Sequence, residues 1–191
     1  MIGQAVQFGR YLLDRNPFIR LLAISGSLTD AYAVSHQDND YFILCKEGRV
    51  WECFAACVFY GFLYSLRIGR PRTFFCFNYI IDETYANGEI RIDEKSAREL
   101  LNLKVIHGNA AFRRLLKDKK EIDGYYPAEY TARLLSIEED TAVKPSRGLP
   151  FVVVKPAFKA LSKLFEARRR SRHDTGKIYS NDRVIRSHLH K

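Results

Sequence analysis

Two aspartates, Asp38 and Asp40, stand one residue apart at the start of an apolar run, and a Gly-Ser pair, Gly26 and Ser27, precedes them by ten residues. On extended backbone the two carboxylates fall on one face, where like charges repel unless a cation relieves them. Carboxylate oxygens suit hard cations such as Mg²⁺, while a glycine, a serine hydroxyl and adjacent amides can hold phosphate oxygens. These residues therefore predict a site where metal and phosphate meet, as phosphoryl and nucleotidyl transfer require.

The elements that must position this site are buried strands and helices. Two apolar runs, 18–25 and 40–46, are typical of buried strands, and as neighbours in one sheet they would bring Ser27 and Asp40 to the same rim. The other predicted elements here are a helix over 4–15, a long apolar helix over 49–68 and a strand over 73–81. This order predicts an α/β (α+β) fold with a small mixed sheet flanked by helices.

Beyond residue 93 the pattern is mainly helical. The predicted elements are a capped helix over 93–108 ending at a glycine, a basic helix over 109–120, an irregular connection over 121–150, a basic amphipathic helix over 155–174 and a polar tail. We therefore expect a domain over 1–108 and a helical C-terminal extension over 109–191 that packs on or beside it.

The charge balance of the chain points to a polyanionic partner. The formal charge is +9 over 191 residues, which favours a nucleoside triphosphate, a nucleic acid or an anionic membrane surface without choosing among them. The predicted 155–174 helix carries a basic run that either binds nucleic acid or lipid or is a solvated face: Arg168, Arg169, Arg170 and Arg172. Four cysteines without a CxxC pair, and no charged-then-apolar leader, favour a cytoplasmic protein with reduced thiols.

One apolar segment, residues 50–66, is long enough to raise the question of a membrane span. It reads VWECFAACVFYGFLYSL, is at the short limit for a span and contains Glu52 near one end. We therefore expect a helix buried on nearly all sides and no membrane span.

The arrangement of an apolar run, Gly-Ser, ten residues, Asp-x-Asp and a second apolar run resembles the nucleotidyltransferase superfamily that includes DNA polymerase beta. Three further stretches, FCFNYIIDE, SARELLNLKVIHGN and RRRSRHDTGKIYS, are similar to nucleotidyltransferase-domain proteins of bacteria and archaea. The core likeness covers roughly residues 10–81. It implies the superfamily's helix–strand–helix–strand core, an order that matches the elements predicted above.

The resemblance also implies residue roles. Gly26 and Ser27 would contact the β- and γ-phosphates of a bound nucleoside triphosphate. Asp38 and Asp40 would hold two Mg²⁺ ions, with Mn²⁺ as an alternative. The implied activity is transfer of a nucleoside monophosphate from the triphosphate to an unidentified acceptor hydroxyl.

One departure from the superfamily pattern leaves a second hypothesis open. Active members carry a third carboxylate on a later strand, where this chain has Asn78, and an amide cannot take a proton. Asp82 or Asp93, which follow that strand, could substitute. If neither does, the alternative is a catalytically degenerate protein of this fold that binds nucleotide, nucleic acid or a protein partner.

Overall fold

The computed structural model of the chain describes residues 2–25, 39–69, 75–88, 90–138, 179–180 and 183–186. The helices are α1 (Ile2–Leu13), α2 (Val50–Arg67), α3 (Glu83–Gly88), α4 (Glu94–Leu101), α5 (Asn109–Asp118), α6 (Glu121–Tyr125) and α7 (Pro127–Ser136). The strands are β1 (Ile19–Ser25), β2 (Asn39–Cys45), β3 (Phe75–Asp82), β4 (Lys104–His107), β5 (Tyr179–Ser180) and β6 (Val184–Arg186).

The strands form one mixed sheet in the order β4-β1-β2-β3-β6-β5. β1 runs antiparallel to both β2 and β4, β2 runs parallel to β3, and β3 pairs antiparallel with β6. The predicted mixed sheet flanked by helices is therefore confirmed, and the two apolar runs that flank the Gly-Ser and Asp-x-Asp motifs are neighbouring strands.

Each face of the sheet is covered by helices because the strand residues alternate between two apolar clusters. Ile24 and Tyr41 face a cluster that α1 and α2 complete, and which we call the first face. Ala23 and Phe42 face a cluster that residues of α3, α4, α5 and α6 complete, and which we call the second face. From Leu21 to Ile24 in β1 and from Tyr41 to Cys45 in β2, successive residues thus alternate between the two faces. A register shift between Ile19 and Leu21 interrupts the alternation at the start of β1.

Helix α2 is only half buried, so the expectation of burial on nearly all sides is wrong for its C-terminal half. Trp51 and Cys57 are buried against the first face of the sheet. Beyond them an apolar stripe is exposed: Val58, Phe59, Phe62, Leu63 and Leu66. In the part of the chain that the structure describes, no helix has the length and hydropathy needed to cross a membrane.

The predicted helix over 93–108 ends early, and its second half is a strand. Helix α4 stops at Leu101, and the run from Lys104 to His107 pairs with β1, where its β-branched residues fit a sheet. Gly108 does not end a helix but precedes α5, with a φ of +90°. Its Cα lies so close to β1 that an added Cβ would come within 2.2 Å of the Arg20 carbonyl oxygen, which only glycine avoids.

Two further predictions are corrected in the C-terminal part. The expected irregular connection contains helices α6 and α7, the second of which begins with Pro127 in the first turn, where its missing N–H costs nothing. The extension is also not purely helical, because β6 pairs with β3 and places Ile185 in the core. The predicted helix over 155–174 lies outside the described residues.

Candidate functional site

The candidate site begins where β1 ends and β2 starts. Ser25, the last residue of β1, pairs directly with Asp40 in the antiparallel register. Both residues are partly buried. The register therefore brings position 40 beside the residue that precedes the Gly-Ser pair, and the predicted meeting of Asp40 with Ser27 stays a prediction.

Asp40 belongs to the second face of the sheet. It lies two and four residues before Phe42 and Leu44, which pack in the second-face cluster, and residues two apart on a strand share a face. Ser25 shares a face with Ala23 for the same reason. The two rim residues thus share one face, and any group held by Asp40 lies on the side of the sheet that carries α3 to α7.

The remaining motif residues, Gly26, Ser27 and Asp38, lie outside the described residues, so their predicted roles stay predictions. Within the described ranges, no group of three or more His, Cys, Asp and Glu side chains forms a metal site. Asp40 supplies a hard carboxylate oxygen, the kind of ligand that Mg²⁺ prefers. The donor type at this rim therefore fits the predicted metal.

Asn78 lies on the neighbouring strand at the same end of the sheet. In the parallel register Asp40 pairs with Cys76 and Phe42 with Tyr79, so two residues of β3, Phe77 and Asn78, oppose one residue of β2. An extra residue in one strand is a β-bulge, a feature that often occurs next to active sites because it changes where side chains point. The backbone thus brings position 78 beside the start of β2.

Asp82 is at the wrong end of the sheet to act as a third carboxylate, and that prediction is corrected. It pairs with Cys45, five residues along β2 from Asp40, which corresponds to about 17 Å of strand. Its side chain is 1% exposed and accepts hydrogen bonds from the backbone N–H groups of Tyr85, at 2.8 Å, and Gly48, at 3.1 Å. Asp82 therefore joins the start of α3 to the turn before α2.

Asp93 has a local structural role. It is the N-cap residue of α4, and its Oδ1 accepts a hydrogen bond of 2.7 Å from the backbone N–H of Ser96. This bond satisfies one of the N–H groups that a helix leaves unpaired at its start. Its predicted substitution for the third carboxylate stays a prediction.

The cysteines of the described core are reduced, as the sequence predicts. Cys45, Cys53 and Cys57 are buried and free, and the side chain of Asn16 donates hydrogen bonds to the last two. A hydrogen bond with Cys53 and burial raise the pKa of the Cys45 thiol, and burial raises the pKa of the Cys57 thiol well above its ordinary value. Both thiols are therefore neutral near pH 7, which suits a packing role.

Sequence reasoning missed a basic pocket on the second face. Its walls come from the start of β4, the first residue of α5 and the end of α7, and they include Lys104, Asn109 and Arg133. No short motif signals this pocket, because its lining comes from residues 101–109 and from residues 133–138, which are distant in the chain. No family model matches the chain, and neither does any curated protein or solved structure compared with it.

Proposed function

We propose that this chain is a Mg²⁺-dependent nucleotidyltransferase that moves a nucleoside monophosphate from a nucleoside triphosphate to an acceptor hydroxyl. The observation that carries the proposal is the pairing of Ser25 with Asp40. It joins the end of β1, directly before the Gly-Ser pair, to the start of β2, which contains the second aspartate of Asp-x-Asp. With Gly26 and Ser27 as the phosphate ligands and Asp38 and Asp40 as the metal ligands, the two sets would lie next to each other, as this chemistry requires.

In this proposal Asp38 and Asp40 hold the metal, and Gly26 and Ser27 hold the terminal phosphates. When bound, Mg²⁺ would neutralise phosphate charge and favour in-line attack on the α-phosphate. The acceptor oxygen bonds to the α-phosphorus and gives up its proton to solvent, while the α–β phosphoanhydride bond breaks and pyrophosphate leaves. The carboxylates fix the distance between nucleotide and sheet rim. The glycine, lacking a Cβ, lets the backbone approach the phosphates closely.

A second candidate is a degenerate protein that binds nucleotide, nucleic acid or a protein partner without transfer. The bulge at Asn78 favours it, because the position beside the start of β2 carries an amide instead of a carboxylate. General-base assistance contributes about 10²–10⁴ in rate, and an amide cannot supply it.

Calorimetric titration with each common nucleoside triphosphate, with and without Mg²⁺, tests the shared part of both candidates. We expect Mg²⁺-dependent binding that Asp40→Asn abolishes, because the change removes a negative ligand while keeping the shape of the side chain. Asp118→Asn, at the far end of α5, is the matched control and should bind like the wild type. Equal binding by the wild type and Asp40→Asn would reject the enzyme and the nucleotide-binding form of the second candidate.

Transfer of label from a triphosphate to components of a cell extract separates the two candidates. Transfer by the wild type that is lost in Asp40→Asn supports the enzyme. If instead the wild type binds nucleotide without transfer and Asn78→Asp gains it, the chain is the degenerate protein.

A further inference from the structure

Most of the exposed large apolar side chains in the described part of the chain lie on α2. They form the apolar stripe and continue at Ile68, and the others, Tyr125 and Leu135, lie apart on α6 and α7. Phe62 and Leu66 are 58% and 51% exposed and stand four residues apart, one above the other along the helix. A contiguous exposed apolar patch of this kind is typical of a surface that docks on a protein or on a membrane.

The helices on the two faces of the sheet differ in charge. On the first face, α1 contains no acidic residue, and the single acidic residue of α2, Glu52, is buried and paired with Arg49. The exposed charged side chains of these two helices are basic, namely Arg10 and Arg67. The helices of the second face, in contrast, carry many acidic residues: Glu83, Glu94, Glu99, Asp118, Glu121, Asp123 and Glu129.

A basic residue also borders the stripe directly. Arg67 follows Leu66, is exposed, and belongs to none of the ion pairs found within the described ranges. The sequence adds Arg70 and Arg72 within the next five positions, outside the described residues. A helix with an apolar stripe bordered by basic residues is typical of segments that lie in a membrane interface, where the apolar side chains reach the acyl boundary and the cations meet anionic headgroups.

The stripe lies toward the rim that carries Asp40. Helix α2 starts after the far end of β2 and returns along the first face, because the next strand, β3, runs parallel to β2. Near the end of α2, the ring of Tyr64 lies 5.2 Å from the ring of Phe8, which lies 5.6 Å from the ring of Tyr41, the residue after Asp40. A surface that binds the stripe would thus lie near the rim, on the opposite face of the sheet from Asp40.

We propose that the apolar stripe of α2 docks this chain on an anionic membrane surface. Phe62 and Leu66 enter the boundary between headgroups and acyl chains, and Arg67 stays at the headgroups. The formal charge of +9 adds a long-range attraction to anionic lipid. A second copy of the chain fits this face less well, because it would bring two sets of basic residues together. Docking needs neither Mg²⁺ nor Asp40.

Cosedimentation of the full chain with lipid vesicles in EDTA tests this docking. The vesicles are phosphatidylcholine alone and phosphatidylcholine with about 30% phosphatidylserine, and we expect binding to the anionic vesicles that raised salt weakens. Leu66→Gln should lower the partition coefficient about tenfold, because it removes an apolar side chain that leaves water on docking. Leu135→Gln, the same change at an 81% exposed position of α7, is the matched control and should bind like the wild type.

A second pair of variants tests the contribution of charge. Arg67→Gln should lower the partition coefficient about fivefold, the contribution of one basic residue close to an anionic surface. Arg114→Gln, an equal change of charge at an exposed position of α5, should change it little. Urea midpoints followed by the fluorescence of Trp51 show that each variant is folded.

The outcomes separate this inference from the proposed function. Asp40→Asn should bind vesicles like the wild type even if it loses Mg²⁺-dependent nucleotide binding. Docking is refuted if the wild type binds neither kind of vesicle, or if Leu66→Gln binds the anionic vesicles as tightly as the wild type, because another surface then makes the contact. A dimer in analytical ultracentrifugation that Leu66→Gln dissociates would also refute it and assign the stripe to a second copy of the chain.

Discussion

Replacing Asp82 by asparagine should destabilise the fold without affecting the Mg²⁺-dependent nucleotide binding proposed for the other end of the sheet. The carboxylate uses both oxygens, one for the N–H of Tyr85 and the other for the N–H of Gly48, and it is almost fully buried. An amide has a single oxygen, so in either orientation its NH₂ group faces a backbone N–H and one hydrogen bond is lost.

The expected cost is that of one buried hydrogen bond to a charged group, about 1.5–3 kcal/mol in the free energy of unfolding. With a urea m-value of about 2 kcal/mol/M, the midpoint should fall by about 1 M. The fluorescence of Trp51, the single tryptophan, reports the transition, because this side chain is 2% exposed in the folded protein.

Asp93→Asn is the matched control for Asp82→Asn. Asp93 caps α4 by accepting an exposed hydrogen bond from the backbone N–H of Ser96. Asparagine is as good an N-cap residue as aspartate, so the midpoint should move little. An unchanged midpoint for Asp82→Asn would refute the structural role of Asp82. A variant that keeps its stability but loses Mg²⁺-dependent nucleotide binding would support the predicted role of Asp82 as a third carboxylate.

Three further predictions concern the frame of the fold. Gly108→Ala should lower the free energy of unfolding by more than about 2 kcal/mol in a denaturant titration, because the new Cβ meets the backbone of β1. Gly48→Ala, at a similar positive φ but with open space around it, should cost only about 1–2 kcal/mol. Equal costs for the two variants would contradict this. Tyr41 donates a 2.9 Å hydrogen bond to the Ala5 carbonyl, and burial raises its pKa. Because the pKa is raised in the folded state, this stability is kept below the unfolded pKa of about 10 and is lost as the pH rises above it. In urea titrations the wild type should therefore lose more stability than Tyr41→Phe between pH 9 and about 11. Equal losses in the two proteins would contradict this. Phe62, 58% exposed on α2, should tolerate Phe62→Gln within about 0.5 kcal/mol while the variant binds less of an apolar fluorescent dye, and a larger loss of stability would show that the stripe is covered.

The sequence by itself determined the elements whose signal is local. The apolar runs of β1, β2 and β3 and the periodicity of α1 and α5 predict those elements within a few residues, because burial on one or both sides of a strand or helix leaves a period that can be read without knowing the partner. The sequence places Ser25 and Asp40 at one rim on the condition that their strands are neighbours, and the antiparallel register of β1 and β2 meets that condition.

Short elements were decided by tertiary structure. The four residues of β4 follow α4 closely and carry too short a pattern to separate them from that helix, and they form a strand because β1 offers an open edge. The same holds for β6, which the sequence places in a polar tail and which becomes part of the core by pairing with β3.

The assignment of candidate site residues divides along the same line. The types and spacing of Asp38 and Asp40 can be seen directly in the sequence. The expectation that they share a face follows from the period of two along extended backbone and needs no knowledge of the surroundings. The separation of Asp82 from Asp40 depends on the parallel register of β2 and β3, and the hydrogen bond from Arg133 to the Leu103 carbonyl oxygen depends on where α7 packs. Distances between residues far apart in the chain are set by packing, and only the folded structure contains them.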